Sequence, residues 1–183
     1  MHVRFSMVKG TWVVEDRFQT ALGRIDEMLI DPDTGQVIGF FVAIPSFFSS
    51  EESFLPSVDI LSWGTVVHVR DPDRLAPPEE VLRIAPILAG KRRILGQRII
   101  TEKAKSSLGR CCDVQFSTKR FTIEWLFPRK FFFSRTPIPA SDIVRVTPAA
   151  IIVKEPLQLK TDADKLTAAD AVAVLKEVVP TTN

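Results

Sequence analysis

Leu22-Gly23-Arg24-Ile25-Asp26-Glu27-Met28-Leu29-Ile30-Asp31-Pro32-Asp33-Thr34-Gly35-Gln36-Val37-Ile38-Gly39-Phe40 reads as two strands around one tight turn. Leu22 to Ile30 and Gln36 to Ile44 are rich in β-branched and aromatic residues, as strands are. Pro32 fixes φ early in the turn and Gly35 is free to take φ > 0, so Asp31-Pro32-Asp33-Thr34-Gly35 closes a β-hairpin. Outward from it, Thr11-Trp12-Val13-Val14 and Thr65 to Val69 are further short strands, and the first half reads as all-β.

The second half repeats the first at low identity, and such a repeat decides the architecture. Leu22-Gly23 is matched to Leu95-Gly96, and the turn glycine Gly35 to Gly109, so that Cys111-Cys112 take the place of Val37-Ile38. Pro56-Ser57-Val58-Asp59-Ile60-Leu61 recurs as Pro139-Ala140-Ser141-Asp142-Ile143-Val144, and Val66 to Pro72 recurs as Ile151 to Pro156. Between the copies, Pro78 followed by Glu79-Glu80 marks the first turn of a short helix that Pro86 limits. Thr161 to Asp164 cap a helix that ends before Pro180, whose apolar stripe (Leu166, Ala169, Val172, Ala173, Leu175 and Val179) docks on a barrel or on another subunit.

Leu22-Gly23-Arg24-Ile25, the Asp31 to Gly35 turn, Val37-Ile38-Gly39-Phe40 and Leu55-Pro56 before Asp59-Ile60 together resemble the PRC-barrel family. Its barrels occur in the cytoplasmic domain of the photosynthetic reaction centre H subunit and in ribosome maturation factors. The resemblance covers about residues 8 to 72, and a weaker second copy about 91 to 156, where Lys105-Ser106-Ser107-Leu108-Gly109 replaces the first copy's turn and an aromatic hairpin near Trp125 to Phe133 replaces a shorter loop. It implies a mainly β fold of two small PRC-type β-barrels in tandem, with a short connecting helix and a C-terminal helix. The expected divisions are residues 1–75 and 91–157 for the barrels, 76–90 for the connecting helix, and 158–183 for the last helix and tail. The resemblance also implies a non-catalytic adaptor or assembly module, with no catalytic residue to carry over.

The composition agrees with a globular chain: 183 residues, 45% hydrophobic and 25% charged, which excludes a collagen-like fibre or a disulfide scaffold. Two Cys, two His and no Tyr leave few groups for chemistry, and no HExxH, G-x-S-x-G, P-loop or G-x-G-x-x-G occurs. No catalytic residue, metal ligand or cofactor is expected. His68 reads as a strand residue, and one thiol of the adjacent Cys111-Cys112 should face the core, the other the exterior. The N-terminus lacks a signal-peptide pattern and no apolar run is long enough to span a bilayer, so a cytoplasmic protein with reduced thiols is expected. Asp59 and Asp142 recur at one repeat position, which suits a carboxylate accepting backbone N–H bonds to fix a turn. Gly23, Gly35, Gly39, Pro56, Gly96, Gly109 and Pro139 join them as turn and fold residues.

The formal charge of +2 hides a division. Residues 1–90 carry 7 Lys+Arg against 13 Asp+Glu, net −6, residues 91–156 carry 14 against 5, net +9, and the tail 3 against 4, net −1. Lys91-Arg92-Arg93, Lys119-Arg120 and Arg129-Lys130 lie in the basic half with Arg98, Lys103, Lys105 and Arg110. Such a surface suits RNA, or it packs on the acidic half, within a chain or between copies in a homo-oligomer. Phe47-Phe48 sits in a polar hairpin tip and Phe131-Phe132-Phe133 follows Pro128-Arg129-Lys130. Neighbouring strand residues point to opposite faces, so three Phe in a row cannot all enter one core; the rest are covered by the C-terminal helix or by the other barrel, or meet a partner. The reading is an adaptor that binds a protein through Phe47, Phe48 and these basic residues. RNA- or ribosome-associated assembly is the alternative, and attachment to an anionic membrane surface, with the Phe runs as wedges, the third.

Overall fold

The computed structural model describes residues 1–45, 50–82 and 84–155. The expected C-terminal helix and Phe47-Phe48 lie outside them. The first half contains β1 (His2–Arg4), α1 (Phe5–Val8), β2 (Trp12–Glu15), β3 (Ala21–Ile30), β4 (Val37–Pro45), β5 (Ser50–Pro56), β6 (Ile60–Trp63) and β7 (Val67–Val69). After α2 (Ala85–Ala89) follow β8 (Arg98–Thr101), β9 (Ser107–Ser117), β10 (Thr122–Lys130), β11 (Phe133–Ser134), β12 (Ile138–Pro139), β13 (Ile143–Val146) and β14 (Ile151–Val153).

The hairpin read from the sequence forms as β3 and β4. Asp31 closes its turn, accepting from the backbone N of Asp33 at 2.9 Å and from the hydroxyl of Thr34 at 2.9 Å, with Gly35 at φ +72. The first sheet has the order β5-β4-β3-β2-β7-β6, and the second follows the same path as β10-β9-β8-β14-β13, with β11 and β12 both on the free edge of β10. In each, the strand that opens the sheet pairs parallel with the last one: Val13 opposite Val67, Ile99 opposite Ile151.

Equivalent residues lie 86 apart from the start of each copy into β10, since Gly10 (φ +85) donates to the carbonyl of Ile25 at 2.7 Å and Gly96 (φ +76) to that of Cys111 at 2.7 Å. Val13 pairs with Gly23 as Ile99 pairs with Gly109. This corrects the early part of the sequence alignment. Leu22-Gly23-Arg24 recurs as Leu108-Gly109-Arg110, Gly96 answers Gly10, Cys111-Cys112 stand at Ile25-Asp26, and the place of Gly35 is taken by Phe121 at φ +50. The later alignment agrees with the structure, because Pro56 and Pro139 each lead into a three-residue 3-10 turn, Ser57–Asp59 and Ala140–Asp142.

Two other expectations change. The sheets do not close into barrels: a 3-10 turn, with no hairpin, carries the chain from β5 into β6, and the outer edge of β5 is taken by Ala76 opposite Phe54. The connecting segment is not one helix from Pro78. A 3-10 turn spans Pro78–Glu80, and Pro86 lies in the first turn of α2, where a missing N–H costs nothing. Ile84 before it is buried against Phe41 and Phe54.

Both sheets feed one core. Phe40 of the first half and Phe116 of the second are fully buried, 5.9 Å apart between ring centroids, with Trp63 at 5.1 and 5.6 Å from them. Burying each Phe side chain contributes about 2–3 kcal/mol. β1 crosses to the second half and pairs with β9, His2 opposite Ser117. There Arg4 Nε donates to the buried carboxylate of Asp113 at 2.9 Å, and the backbone N of Ser6 donates to it at 3.0 Å. Among the described residues no helix is long and apolar enough to cross a membrane.

Candidate interaction surface

The registers of β8, β9 and β10 set Arg98 opposite Arg110 and Arg110 opposite Arg129. Directly opposed residues share a face of the sheet, so the three form a lateral row, and all three are exposed. Like charges so placed repel. Among the described residues none of the three meets a carboxylate; Arg110 instead donates to the carbonyl of Gly96 at 3.1 Å.

β8 and β10 run the same way, so the turn after β8 and the end of β10 lie at one end of the sheet. This end carries Lys103, Lys105, Lys130 and Arg135 against Glu102 and Glu155. Glu155 is committed to structure: it accepts from the backbone N of Lys103 at 2.8 Å and of Ala104 at 2.9 Å. The bond from Ala104, with that from Lys103, outweighs desolvation and holds its carboxyl below the ordinary range.

At the tip, Lys130 pairs with Phe133, leaving Phe131-Phe132 as a two-residue turn. Phe131, Phe132 and Phe133 are 83, 96 and 72% exposed, so nothing in the described chain covers them. The counterpart of this hairpin is β4–β5, not a shorter loop; its return strand is interrupted in the second half, where Pro137 and Pro139 have no N–H for the ladder.

That interruption opens a groove of about 430 Å³ lined by Leu108, Pro128, Pro137, Ile138, Pro139 and Val153 among others. In the first half the matching edge is sealed by the chain itself, the backbone N of Phe54 donating to Ala76 at 2.7 Å. Leu55 faces Phe40 as Ile138 faces Leu126, so the counterpart of Phe54 is Pro137, which cannot give that bond.

The other basic residues singled out by sequence do not converge on this end. Lys91, Arg92 and Arg93 line a cleft of about 630 Å³ with Lys9, Asp26 and Glu27. Arg92 is engaged there by Asp33, donating at 2.7 Å, and this hydrogen bond holds the Asp33 carboxyl low and raises the guanidinium. Lys119 and Arg120 lie in the β9–β10 turn, where Arg120 donates to Glu124 at 2.9 Å. Of the three basic runs, only Arg129-Lys130 joins the tip. Sequence reasoning missed Arg135 and the alignment of Arg98 with Arg110 and Arg129, which exists only in the pairing of β8, β9 and β10.

The turn and fold residues divide into two kinds. A side chain at Gly23 would meet the Ala43 carbonyl at 2.7 Å, and at Gly39 or Gly109 the backbone of Leu55 or Arg129 leaves no room. Asp59 and Asp142 face cations, Arg74 and Lys154, each at 3.6 Å, where backbone N–H partners were expected. The Cys111 thiol points into the core, where burial pushes its pKa up to about 12, and Cys112 is exposed. His68 is half-buried in β7, 3.2 Å from Asp16.

Residues 2–75 match the family model of the PRC-barrel domain, so the chain contains one such domain there, and the match stops before β8. No curated protein matches the sequence.

Proposed function

We propose that the chain is a non-catalytic adaptor, an assembly module that binds a protein partner and joins it to a second, unlike surface. The observation that supports this is the separation of charge. Of the 14 cations in residues 91–156, Arg92 alone pairs with an acid of the first half among the described residues. Had the basic half served to dock on its acidic neighbour, its excess would be spent on such pairs; the Arg98–Arg110–Arg129 row faces outward instead. Opposite faces of this kind steer partners of opposite charge, and do so less as salt rises.

The test is affinity capture of the full chain from extract with and without nuclease, followed by binding of the recovered partner in purified form. Association that survives nuclease and weakens between low and raised salt supports the adaptor. Loss of all association after nuclease replaces it with the RNA reading, in which the arginine row contacts phosphates.

A further inference from the structure

We propose that the Phe131–Phe133 hairpin tip is a wedge that enters an anionic phospholipid surface, with the Arg98–Arg110–Arg129 row lying at the headgroups. This rests on the adaptor reading and names its anionic surface.

Backbone geometry gives the first argument. Phe131 stands at φ +55, a left-handed conformation unfavourable for a non-glycine residue. Phe121 carries the same strain at φ +50, but its ring packs near Phe40 and Trp63, at 6.5 and 6.2 Å. Phe131 has no such packing among the described residues, being 83% exposed. A two-residue hairpin turn calls for φ > 0 at its first position, and this one meets the demand with a bulky exposed ring where glycine or asparagine fits more easily, so the aromatic apex is not chosen for the turn.

Depth is the second. The arginine row runs across the strands, and Arg129 lies three residues before Phe132. At about 3.4 Å per residue the row sits roughly 10 Å behind the tip. A hairpin entering along its own axis therefore puts all three guanidinium groups at one level, while the rings reach the depth of about 5–10 Å at which interfacial apolar groups settle.

Charge is the third. No Asp or Glu occurs from Trp125 to Ser141, a stretch with Arg129, Lys130 and Arg135, and Lys103 and Lys105 flank it. Basic residues near an anionic leaflet are each drawn to its negative surface potential. A protein partner would need a pocket shaped for three adjacent rings on a convex turn, whereas hydrocarbon accepts any shape.

The experiment is flotation of the full chain with phosphatidylcholine vesicles and with vesicles containing about 30% phosphatidylglycerol, whose headgroups give the surface its negative charge. Wild type should float with the anionic vesicles only, less at raised salt. The Phe131→Ser/Phe132→Ser/Phe133→Ser variant, folded by circular dichroism, should bind at least tenfold more weakly. Wild type that does not float overturns the proposal, and so does a Phe variant that floats as well as wild type, since charge alone then suffices. If wild type fails to float while the Phe variant loses a captured protein, the tip is a protein-docking site; the lipid proposal falls and the adaptor reading stands.

Discussion

Gly35 and Phe121 hold the same left-handed backbone conformation at the same point of two related hairpins, and each lends its carbonyl to the other hairpin. The backbone N of Val37 donates to Phe121 at 2.6 Å and that of Ile123 to Gly35 at 2.9 Å, with Gln36 opposite Thr122 between them. Exchange of equivalent residues turns one bond into the other, so the halves meet about an approximate two-fold. The junction should be sensitive. Gly35→Ala meets strain at φ +72 and an Ile123 methylene at 3.1 Å, and should lose about 1–2 kcal/mol in urea unfolding.

The close approaches in the strands give a larger effect. An added methyl at Gly39 would meet the Phe54 ring at 2.5 Å and the backbone of Leu55. Gly39→Ala should lower stability by about 3 kcal/mol, more than Gly35→Ala; equal melting temperatures for the two variants would contradict the packing described.

The crossing of β1 depends on Asp113. Arg4→Ala leaves a buried carboxylate without its cation, although Arg4 itself is 43% exposed, which limits the cost to about 1–3 kcal/mol. The sharper readout is hydrogen exchange at Gln115 to Ser117, which should speed up locally as β1 detaches.

Glu155 sets an acid dependence. Its carboxyl is held below the ordinary range in the folded chain, so the stability it adds is complete above the unfolded value and is lost as pH falls through the folded one. Amide exchange at Lys103 and Ala104, its two donors, should accelerate over that acid interval, and Glu155→Gln should flatten the change.

The two adjacent thiols should differ in reactivity. Native protein should take one iodoacetamide at Cys112, and a second at Cys111 only after unfolding, because burial keeps that thiol protonated up to about 12. Mass spectrometry counts the adducts.

Much of the first sheet was legible because its turn is written in residues with one conformational meaning. Asp31, Pro32 and Gly35 each do there what their chemistry favours. The second copy keeps the backbone path without that spelling: its turn is Ser117-Thr118-Lys119-Arg120-Phe121, with a phenylalanine at the left-handed position. Matching by glycine therefore moved Gly35 onto Gly109, and the Leu-Gly dipeptide onto Leu95-Gly96. The three-residue β1 carried no strand signal because its pairing is entirely long-range, and Phe41, Phe54 and Ile84 form their small cluster only through the tertiary fold. Of the surface, charge asymmetry was visible at once. The arginine row was not, since it exists only in the register between strands.

The proposed binding turns on that row. Its most direct test is quantitative capture from nuclease-treated extract that retains membranes, with wild type and with the Arg98→Glu/Arg110→Glu/Arg129→Glu variant confirmed as folded. The account predicts that at least one species held by wild type falls tenfold or more with the variant. The same species at the same abundance with both proteins would contradict it.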